Sequence, residues 1–537
     1  MPTTELPDHL NVATVLVDDH LARGRGAKPA ILCGEETVTY AQLHEAVNRF
    51  GNILLDLGVR REERVALLLP DSLPWAYVFF GTIKIGAVAV PMNTMLTTRD
   101  YEYLLNDSRA RVLVVHAALA KSIHPLHGRL RYLSHVIVVG GEDEGHVCFD
   151  RAMQAASPVL EPADTSKDDP AFWLYSSGTT GFPKGAIHLH HDMLVAADAY
   201  AVKTIGLAET DVSFSVAKLF FAYGLGNGLY FPLRTGGATV LLPERPTPEV
   251  IFRTIDRYQP TVFYSVPTSY AATLHEAERC GRTSLGKVRM CISAGETLPR
   301  HLFLRWRERF GVDILDGIGS TEILHIFISN RPGKARPGST GQIVPGFEAR
   351  IVDDDGHDLP VGAVGDLLIK GDSIAAGYWN KHEATKRTFC GPWINTYDKF
   401  MIDQDGYFWY SGRANEMLKV GGQPVWPTEV EAVLQQHPAI LESGVTGAAT
   451  DEGLLKPVAY VVLKDGHAPS PHLARELQEF VKTNAALYKY PRAIVFVDQL
   501  PKTATGKTKR FELRQRSAHD GLLRKRSPAL EATSDMQ

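Results

Sequence analysis

The sequence has 537 residues, of which 44% are hydrophobic and 22% are charged, a composition typical of globular proteins. This length predicts two to four domains, each large enough to bury a core of its own. The formal net charge of −4 argues against nucleic acid as a partner, because nucleic-acid surfaces are usually strongly basic.

Cysteine usage and the first residues predict a cytoplasmic protein. The 5 cysteines are widely spaced and form no C-x-x-C pair, which favours free thiols in a reducing compartment. Residues Met1–Asp8 lack the basic and apolar regions of a signal peptide. The chain also has no apolar run of about 18 residues, so we expect no membrane span.

Strand and helix signals alternate along the first part of the chain. Apolar residues at helical spacing follow Thr39 and Gln42, which predict a capping box, and Gly58 predicts the end of that helix. Alternation of this kind predicts layered α/β structure with largely buried parallel strands. Further predicted elements are strands at Arg64–Leu69, Arg111–Val115 and Val136–Val139, and a helix at about Thr98–Asn106.

A loop rich in glycine and hydroxyl groups lies between two predicted strands. The segment Tyr175–Gly185 holds three glycines, four Ser or Thr residues and Lys184. Glycine backbone can approach an anion closely because no Cβ intervenes, and the hydroxyls and the lysine add donors. The loop therefore predicts a phosphate site, although Gly185 after the lysine distinguishes it from a Walker loop. Taken alone, the same cluster also fits a flexible surface turn.

The pattern changes in the last third of the chain. Short strands and Asp-Gly turns between Gly338 and Gly412 predict a small β-barrel region. Beyond it, helical faces and strands alternate in a smaller α+β unit, with Val430, Val433 and Leu434 on one helical face. We predict an N-terminal domain over residues 1–412, a C-terminal domain over 413–520 and a loosely packed tail over 521–537.

Four further motifs follow the loop in order. They are Asp316–Glu322, Tyr397–Asp398, Gly412–Lys419 and Pro501–Lys507. With the loop, this order resembles the adenylate-forming superfamily, which includes acyl-CoA synthetases, peptide-synthetase adenylation domains and luciferases. The resemblance extends from about Thr39 to Lys507. It implies a large domain that binds ATP, Mg²⁺ and the acid, and a small mobile C-terminal domain.

The resemblance implies that a carboxylic acid is activated as an acyl adenylate. A carboxylate and an α-phosphate must then be brought together although both are anions. Thr179, Thr180 and Lys184 would hold the β- and γ-phosphates, Thr321 would contact the α-phosphate, and Glu322 would bind Mg²⁺, a hard cation that prefers oxygen ligands. Lys507 would reach in from the small domain and bridge the two anions.

Other nucleotide contacts follow from the same resemblance. Asp398 would bind both ribose hydroxyls, Arg413 would contact the ribose or a phosphate, and Gly295-Glu296 matches the loop on the adenine side. Ile318 offers an aliphatic face where many relatives carry an aromatic residue. The predicted catalytic residues are Lys507, Thr180, Thr321 and Glu322, and the predicted nucleotide-binding residues are Ser177, Gly178, Thr179, Thr180, Gly181, Lys184, Gly295, Glu296, Asp316, Gly317, Ile318, Gly319, Ser320, Thr321, Asp398, Arg413 and Lys507.

The small domain would carry the hinge and the path for coenzyme A. Asn415 stands at the family's hinge position, and asparagine tolerates unusual backbone angles. Lys419, Gly421 and Gly422 match the segment that lets the narrow pantetheine arm pass close to the backbone. Lys507 is also a candidate substrate of a lysine acetyltransferase, since acetylation would remove its charge.

Two segments resemble the acid pocket of benzoate–CoA ligases and close aryl-CoA relatives. They are Lys218–Asn227 and Ile323–His325. Bulky aromatic residues beside glycines predict a short, flat pocket, in which Tyr223 or His325 could bond a ring substituent; core packing explains both residues equally well. The predicted pocket residues are Phe221, Ala222, Tyr223, Gly224, Ile323 and His325.

The sequence thus predicts ATP-dependent ligation of benzoate or a substituted benzoate to coenzyme A through acyl-AMP, by a monomer or homodimer. The alternatives are transfer to a separate carrier protein, a ligase for alicyclic or short-chain acids, and a nucleotide-binding protein without enzymatic activity. The run His188–His191 suggests a metal cluster, but no Cys or acid at ligand spacing accompanies it, so a structural role is favoured.

Overall fold

In the computed structural model the described residues form two compact units. The first comprises residues 1–350, 368–396 and 405–408, and the second comprises 351–367, 397–404 and 409–537, as far as they are described. None of the described helices is long and apolar enough to cross a bilayer. The structure describes residues 6–176, 183–413, 416, 418–420, 423–450, 455–485, 487–502, 508–520 and 522–523.

One sheet of the first unit is built mainly from parallel strands that are buried on both faces, as the apolar runs predict. Its last two strands are antiparallel, and the glycine-rich loop connects them. In spatial order the seven strands are Val147–Cys148, His135–Val139, Val112–His116, Arg64–Leu68, Val88–Pro91, Pro170–Ser176 and Lys184–Leu189.

A second sheet of the same unit has nine strands, of which the six central ones run parallel. Because parallel strands end on the same side, the loops that leave their carboxyl ends gather at one edge. In spatial order the strands are Gln342–Ile343, Ile326–Ser329, Ile314–Gly319, Met290–Ser293, Val262–Ser265, Val212–Ser215, Ala238–Leu241, Pro29–Cys33 and Glu36–Thr39.

Helices cover these sheets, and one begins at the predicted capping box. The Thr39 hydroxyl accepts from the Gln42 backbone at 3.3 Å, while the Gln42 side chain accepts from the Thr39 backbone at 2.9 Å. The helices are Asp19–Ala22, Tyr40–Asp56, Leu73–Lys84, Thr98–Ser108, Ala117–Ala120, Phe149–Ala155, His190–Ala196, Ala222–Leu225, Phe231–Thr235, Pro248–Tyr258, Pro267–Cys280, Arg300–Phe310 and His382–Thr388, with single turns of other helix types at Thr14–Asp18, His124–Leu126, Ala197–Val202, Gly226–Tyr230 and Thr321–Ile323.

Where the sequence predicts a small β-barrel region, between Gly338 and Gly412, the described residues form a five-stranded sheet, with strands Glu348–Val352, Val364–Lys370, Phe389–Cys390, Trp393–Ile402 and Phe408–Arg413.

The second unit has its own α+β core. The predicted helical face is confirmed, since Val430 and Leu434 are fully buried in it. A three-stranded sheet is formed by Ile440–Ala449, Leu455–Leu463 and Ala493–Phe496, a two-stranded one by Leu418–Val420 and Gln423–Val425, and the helices are Pro427–Leu434, Pro471–Asn484, Leu487–Lys489 and Arg510–His519.

Candidate active site

Three of the predicted site segments follow parallel strands of the nine-stranded sheet, two of which are neighbours while Val262–Ser265 separates them from the third. The acid-pocket segment follows Val212–Ser215, the adenine-side loop follows Met290–Ser293, and the Gly-Ser-Thr-Glu motif follows Ile314–Gly319. Since these strands are parallel, their carboxyl ends lie at the same edge of the sheet. A crevice outside such an edge is where open α/β sheets bind ligands.

The motif Asp316–Glu322 needs its glycines because neighbouring backbone packs closely against them. A Cβ on Gly319 would lie 2.6 Å from the carbonyl oxygen of His325, and one on Gly317 would lie 3.0 Å from the Ile328 carbonyl oxygen. Asp316 lies in the same strand as these glycines, and its burial raises the pKa of its carboxyl group well above the usual range. Its Oδ1 has no hydrogen-bond partner among the described residues.

The carboxylate of Glu322 is held from two sides. Its Oε1 accepts hydrogen bonds from the Ser176 hydroxyl at 3.0 Å and from the Tyr378 hydroxyl at 2.8 Å. Its backbone carbonyl accepts from the Ala375 N–H at 2.8 Å. Both of these side-chain hydrogen bonds use Oε1, and Oε2 accepts none from the described residues. The structure thus fixes this side chain in one orientation beside the strand that enters the glycine-rich loop.

Lys184 and Glu322 are brought together through one aromatic residue. The Lys184 ammonium lies 4.3 Å from the centre of the Tyr378 ring, in a cation–π contact, while the hydroxyl of the same ring donates to Glu322. Sequence reasoning missed Tyr378. Its sequence signal is an aromatic residue after a glycine, which is too common to indicate a site.

The acid-pocket segment contains the short helix Ala222–Leu225. The Tyr223 hydroxyl lies 3.1 Å from the carbonyl oxygen of Ser265 and 3.0 Å from that of Ile292, so its one proton is shared between two backbone acceptors. Tyr223 is therefore anchored to the ends of two strands, and its hydroxyl is committed to them. A Cβ at Gly224 would lie 2.1 Å from the Lys218 carbonyl oxygen, which explains the glycine.

His325 packs among the pocket aromatics. Its ring contacts Phe231 edge-to-face, with centroids 4.4 Å apart, and its Nε2–H donates to the Tyr223 carbonyl at 3.3 Å. Burial lowers the pKa of His325 to about 3, so the ring is neutral and Nδ1 carries a lone pair. That nitrogen is without a partner among the described residues. The preceding residue, Leu324, has a φ of +73°, which is a strained value for leucine. It lies two positions after Glu322.

The remaining predicted residues divide into two groups. Asp398 is buried in the strand Trp393–Ile402, and Arg413 and Lys419 belong to strands of the second unit. Their predicted roles stay predictions. The other group, Ser177, Gly178, Thr179, Thr180, Gly181, Asn415, Gly421, Gly422 and Lys507, lies outside the described residues.

Comparison with known proteins decides the family. The AMP-binding enzyme family matches residues 18–379, and the AMP-binding enzyme C-terminal domain matches residues 429–507. The chain belongs to the AMP-binding enzyme family. The predicted resemblance and the predicted fold class, with a large N-terminal and a small C-terminal domain, are thereby confirmed.

Individual relatives match almost the whole chain. The benzoate–CoA ligase of Thauera aromatica is 46% identical over 515 residues, which are 96% of this chain and 97% of that protein. The structure of an anthranilate CoA ligase in complex with anthranoyl-AMP matches with a TM-score of 0.91 and 43% identity, covering 96% of this chain and 99% of that one. A benzoate CoA ligase from Burkholderia xenovorans LB400 matches with a TM-score of 0.87 and 45% identity, covering 94% and 100%.

Proposed function

We propose that this chain is an AMP-forming ligase that joins benzoate or a substituted benzoate to coenzyme A. In the first half-reaction the carboxylate attacks the α-phosphorus of ATP, which forms acyl-AMP and releases pyrophosphate. In the second, the thiol of coenzyme A attacks the acyl carbon and AMP leaves. The observation that carries the proposal is the contact between the aromatic pocket and the nucleotide motif, where the His325 backbone lies directly against Gly319.

The first half-reaction needs two anions held at a short distance. The anchored Tyr223 and the buried His325 shape the aromatic pocket beside the Gly-Ser-Thr-Glu motif, so an acid bound there would present its carboxylate to Thr321 and Glu322. Holding reactants in this way replaces a costly bimolecular encounter. The free Nδ1 of His325 would accept a hydrogen bond from a hydroxyl or amino group on the ring, which supports a substituted benzoate.

Glu322 suits magnesium. It offers a fixed carboxylate whose Oε2 accepts no hydrogen bond from the described residues. Hard cations such as Mg²⁺ prefer oxygen ligands of this kind. Bound there together with the phosphates of ATP, Mg²⁺ would neutralise part of their charge. Lys184 would add a second positive charge, while its contact with Tyr378 keeps it near the carboxylate.

Further residues matched by family motif complete the proposal. Lys507 of the small domain would bridge the carboxylate and the α-phosphate, Asp398 would hold the ribose, and Asn415 would act as the hinge between the half-reactions. Lys419, Gly421 and Gly422 would line the path of the pantetheine arm. ATP and coenzyme A are abundant in the cytoplasm, where we place the enzyme.

A coupled assay tests the function. Purified enzyme is given ATP, Mg²⁺ and coenzyme A with benzoate, hydroxy- and aminobenzoates, cyclohexane carboxylate, and fatty acids of increasing length. We expect AMP release with benzoate or a monosubstituted benzoate as the best acid, and poor turnover of acids longer than octanoate. Faster turnover of dodecanoate than of benzoate would contradict the pocket assignment. Acid-dependent pyrophosphate exchange without thioester formation would instead favour a carrier protein as acceptor.

A further inference from the structure

His188 is a fully buried histidine directly behind the proposed reaction centre. It lies on the strand Lys184–Leu189, and neither its side chain nor that of Asp192 has any solvent exposure. Its Nδ1 is 2.8 Å from Asp192 Oδ2, and its Nε2 is 2.8 Å from the carbonyl oxygen of Thr321. Both ring nitrogens are therefore engaged, one by a carboxyl group and one by the backbone of the nucleotide motif.

The orientation of this ring is set by several contacts. Asp192 Oδ2 also accepts from the Leu189 N–H at 3.1 Å, and the Phe172 ring stacks on the imidazole with centroids 5.1 Å apart. Because a neutral imidazole carries one N–H, satisfying both acceptors takes a second proton, held by the ring or by the carboxyl group. His191 Nε2 lies 3.1 Å from the other oxygen of Asp192, so a second histidine also approaches this carboxyl group.

The bond to Thr321 connects two sheets. His188 belongs to the edge strand of the seven-stranded sheet, immediately after the glycine-rich loop, whereas Thr321 follows a strand of the nine-stranded sheet. The Thr321 carbonyl also accepts from the Leu324 N–H at 3.3 Å, at the strained residue that leads into the acid pocket. The carbonyl oxygen of Thr321 thus links the strand that follows the glycine-rich loop, the Gly-Ser-Thr-Glu motif and the acid-pocket segment Ile323–His325.

Hydrogen bonds also engage several ring nitrogens of the run His188–His191. Both nitrogens of His188 are occupied, and the Nδ1 of His190 accepts from the Val12 N–H at 3.1 Å. Burial lowers the pKa of His190 to about 4. The structural role favoured by the sequence agrees with these contacts.

We propose that His188, oriented by Asp192, is a positioning residue for the adenylation half-reaction. Its hydrogen bond to the Thr321 carbonyl fixes Thr321 and Glu322 relative to the strand that carries Lys184. The inference rests on the proposed function, because it assigns the adenylation chemistry to these groups. The pair has no direct contact with the reacting atoms, and it acts through the backbone of the motif.

A matched pair of variants at His188 distinguishes the effect of losing the hydrogen bond from the effect of losing the volume of the ring. Glutamine and methionine have nearly the same shape, but only glutamine places an N–H donor near the position of Nε2. The rates to compare are benzoate-dependent pyrophosphate exchange at varied MgATP, and thioester formation from synthetic benzoyl-AMP and coenzyme A. Thermal unfolding is measured in parallel for both variants.

We expect His188→Met to lower kcat/KM for MgATP in the exchange by roughly tenfold, and His188→Gln to restore it to within about threefold of wild type. Thioester formation from benzoyl-AMP should stay within about twofold for both. Equal exchange rates in the two variants, or an equal loss in both half-reactions, would overturn the proposal.

Two further comparisons keep the test decisive. If His188→Met does not fold, Asp192→Asn replaces it, and wild-type exchange in that variant would overturn the proposal. If the wild-type enzyme shows no exchange with benzoate but exchanges with another acid, the proposed substrate is wrong and the variants are compared with that acid. Failure of the substrate assignment is thus distinguished from failure of the positioning role.

Discussion

At the scale of single residues, the site depends on buried groups that hold its loops in place. Asp71 is one of them: its Oδ1 accepts from the Leu219 N–H at 3.1 Å, and its Oδ2 lies 3.7 Å from the Lys218 ammonium. Burial raises the pKa of Asp71 from 3.8 to about 6, although Lys218 opposes the shift. This carboxyl group therefore fixes the start of the acid-pocket segment, and its contribution to the free energy of unfolding depends on pH.

The sign of that dependence follows from linkage. The folded state binds the Asp71 proton more tightly than the unfolded state, so the resulting stabilisation is complete below pH about 4 and is lost as the pH rises through about 6. Asp71→Asn removes this titration. The free energy of unfolding of the variant, relative to wild type, should rise by up to about 3 kcal/mol between pH 4 and pH 7. Denaturant titrations across this range measure the difference.

Asp211→Asn is a control of opposite sign. Burial raises the pKa of Asp211, but hydrogen bonds from Arg289 and Thr261 outweigh it and lower the pKa overall. That variant should lose stability relative to wild type as the pH rises through the acid range. A difference for Asp71→Asn that stays flat, or that falls, between pH 4 and 7 would contradict the assignment.

Sequence reasoning reached the site residues that belong to motifs but not those that support them. Lys184 and Glu322 were identified because each stands in a recognisable run of glycine and hydroxyl residues. Tyr378 and Asp71 were not, since their partners lie 56 and 148 positions away along the chain. No local pattern encodes a contact at that separation, and only the folded arrangement of the sheets creates it.

At the scale of elements, the short helix Ala222–Leu225 would set the shape of the proposed acid pocket. Tyr223 ties it to the carboxyl ends of two strands, and Gly226 lets His325 pack against its end, where a Cβ would lie 2.5 Å from the imidazole. The α/β alternation and the capping box were predictable from apolar spacing and residue type. The turn at Leu324 was not, because a leucine with positive φ runs against intrinsic preference.

Tyr223→Phe tests whether the hydroxyl of this tyrosine anchors the helix or binds a ring substituent of the substrate. Loss of the hydroxyl should reduce the free energy of unfolding by about 1 kcal/mol, the usual net value of a buried hydrogen bond. The ratio of kcat/KM for 4-hydroxybenzoate to that for benzoate should stay unchanged, because the hydroxyl is committed to Ser265 and Ile292. A selective loss of the hydroxylated acid, with unchanged stability, would assign Tyr223 to substrate recognition instead.

At the scale of the whole molecule, the proposed reaction needs the small domain to adopt two orientations. Asn415 is the predicted hinge, and proline there fixes φ near −65°. Asn415→Pro should therefore impair thioester formation more than adenylation, while Asn415→Ala, which leaves φ free, should impair neither strongly. Pyrophosphate exchange and thioester formation from benzoyl-AMP measure the two steps separately. An equal loss of both steps in Asn415→Pro would place the hinge elsewhere.

Within the second unit, one partly buried arginine connects the segment next to the predicted hinge with the helix that follows Lys507. Arg510 Nη1 is 2.9 Å from Glu416, and its Nη2 is 2.6 Å from Glu431. Glu431 also accepts from the Val445 N–H at 2.6 Å, so the network is attached to the three-stranded sheet. Two carboxylates therefore hold the arginine that begins the helix Arg510–His519, and they fix the start of this helix.

Lys507 lies three positions before the first residue of this anchored helix, and its proposed task belongs to the first half-reaction alone. Its charge would bring carboxylate and α-phosphate together, and removal of one preorganised group of this kind costs about 10²–10³ in rate, or about 3–4 kcal/mol. Lys507→Ala should therefore slow benzoate-dependent pyrophosphate exchange by that factor. Thioester formation from synthetic benzoyl-AMP should stay near the wild-type rate, because the family's second orientation withdraws the lysine from the site.

The matched control for this variant is Lys502→Ala, a change of the same type on a neighbouring residue. The Lys502 ammonium pairs with Glu442 at 2.9 Å on the surface of the second unit, and exposed pairs contribute little stability. Both half-reactions should therefore survive in Lys502→Ala, which separates the loss of a specific charge from the loss of any charge on this basic segment.

If Lys507→Ala loses thioester formation as severely as exchange, the lysine serves both steps, and the assignment of one orientation to each step fails. Acetylation of Lys507 would then block both half-reactions; under the proposed mechanism it blocks only the first.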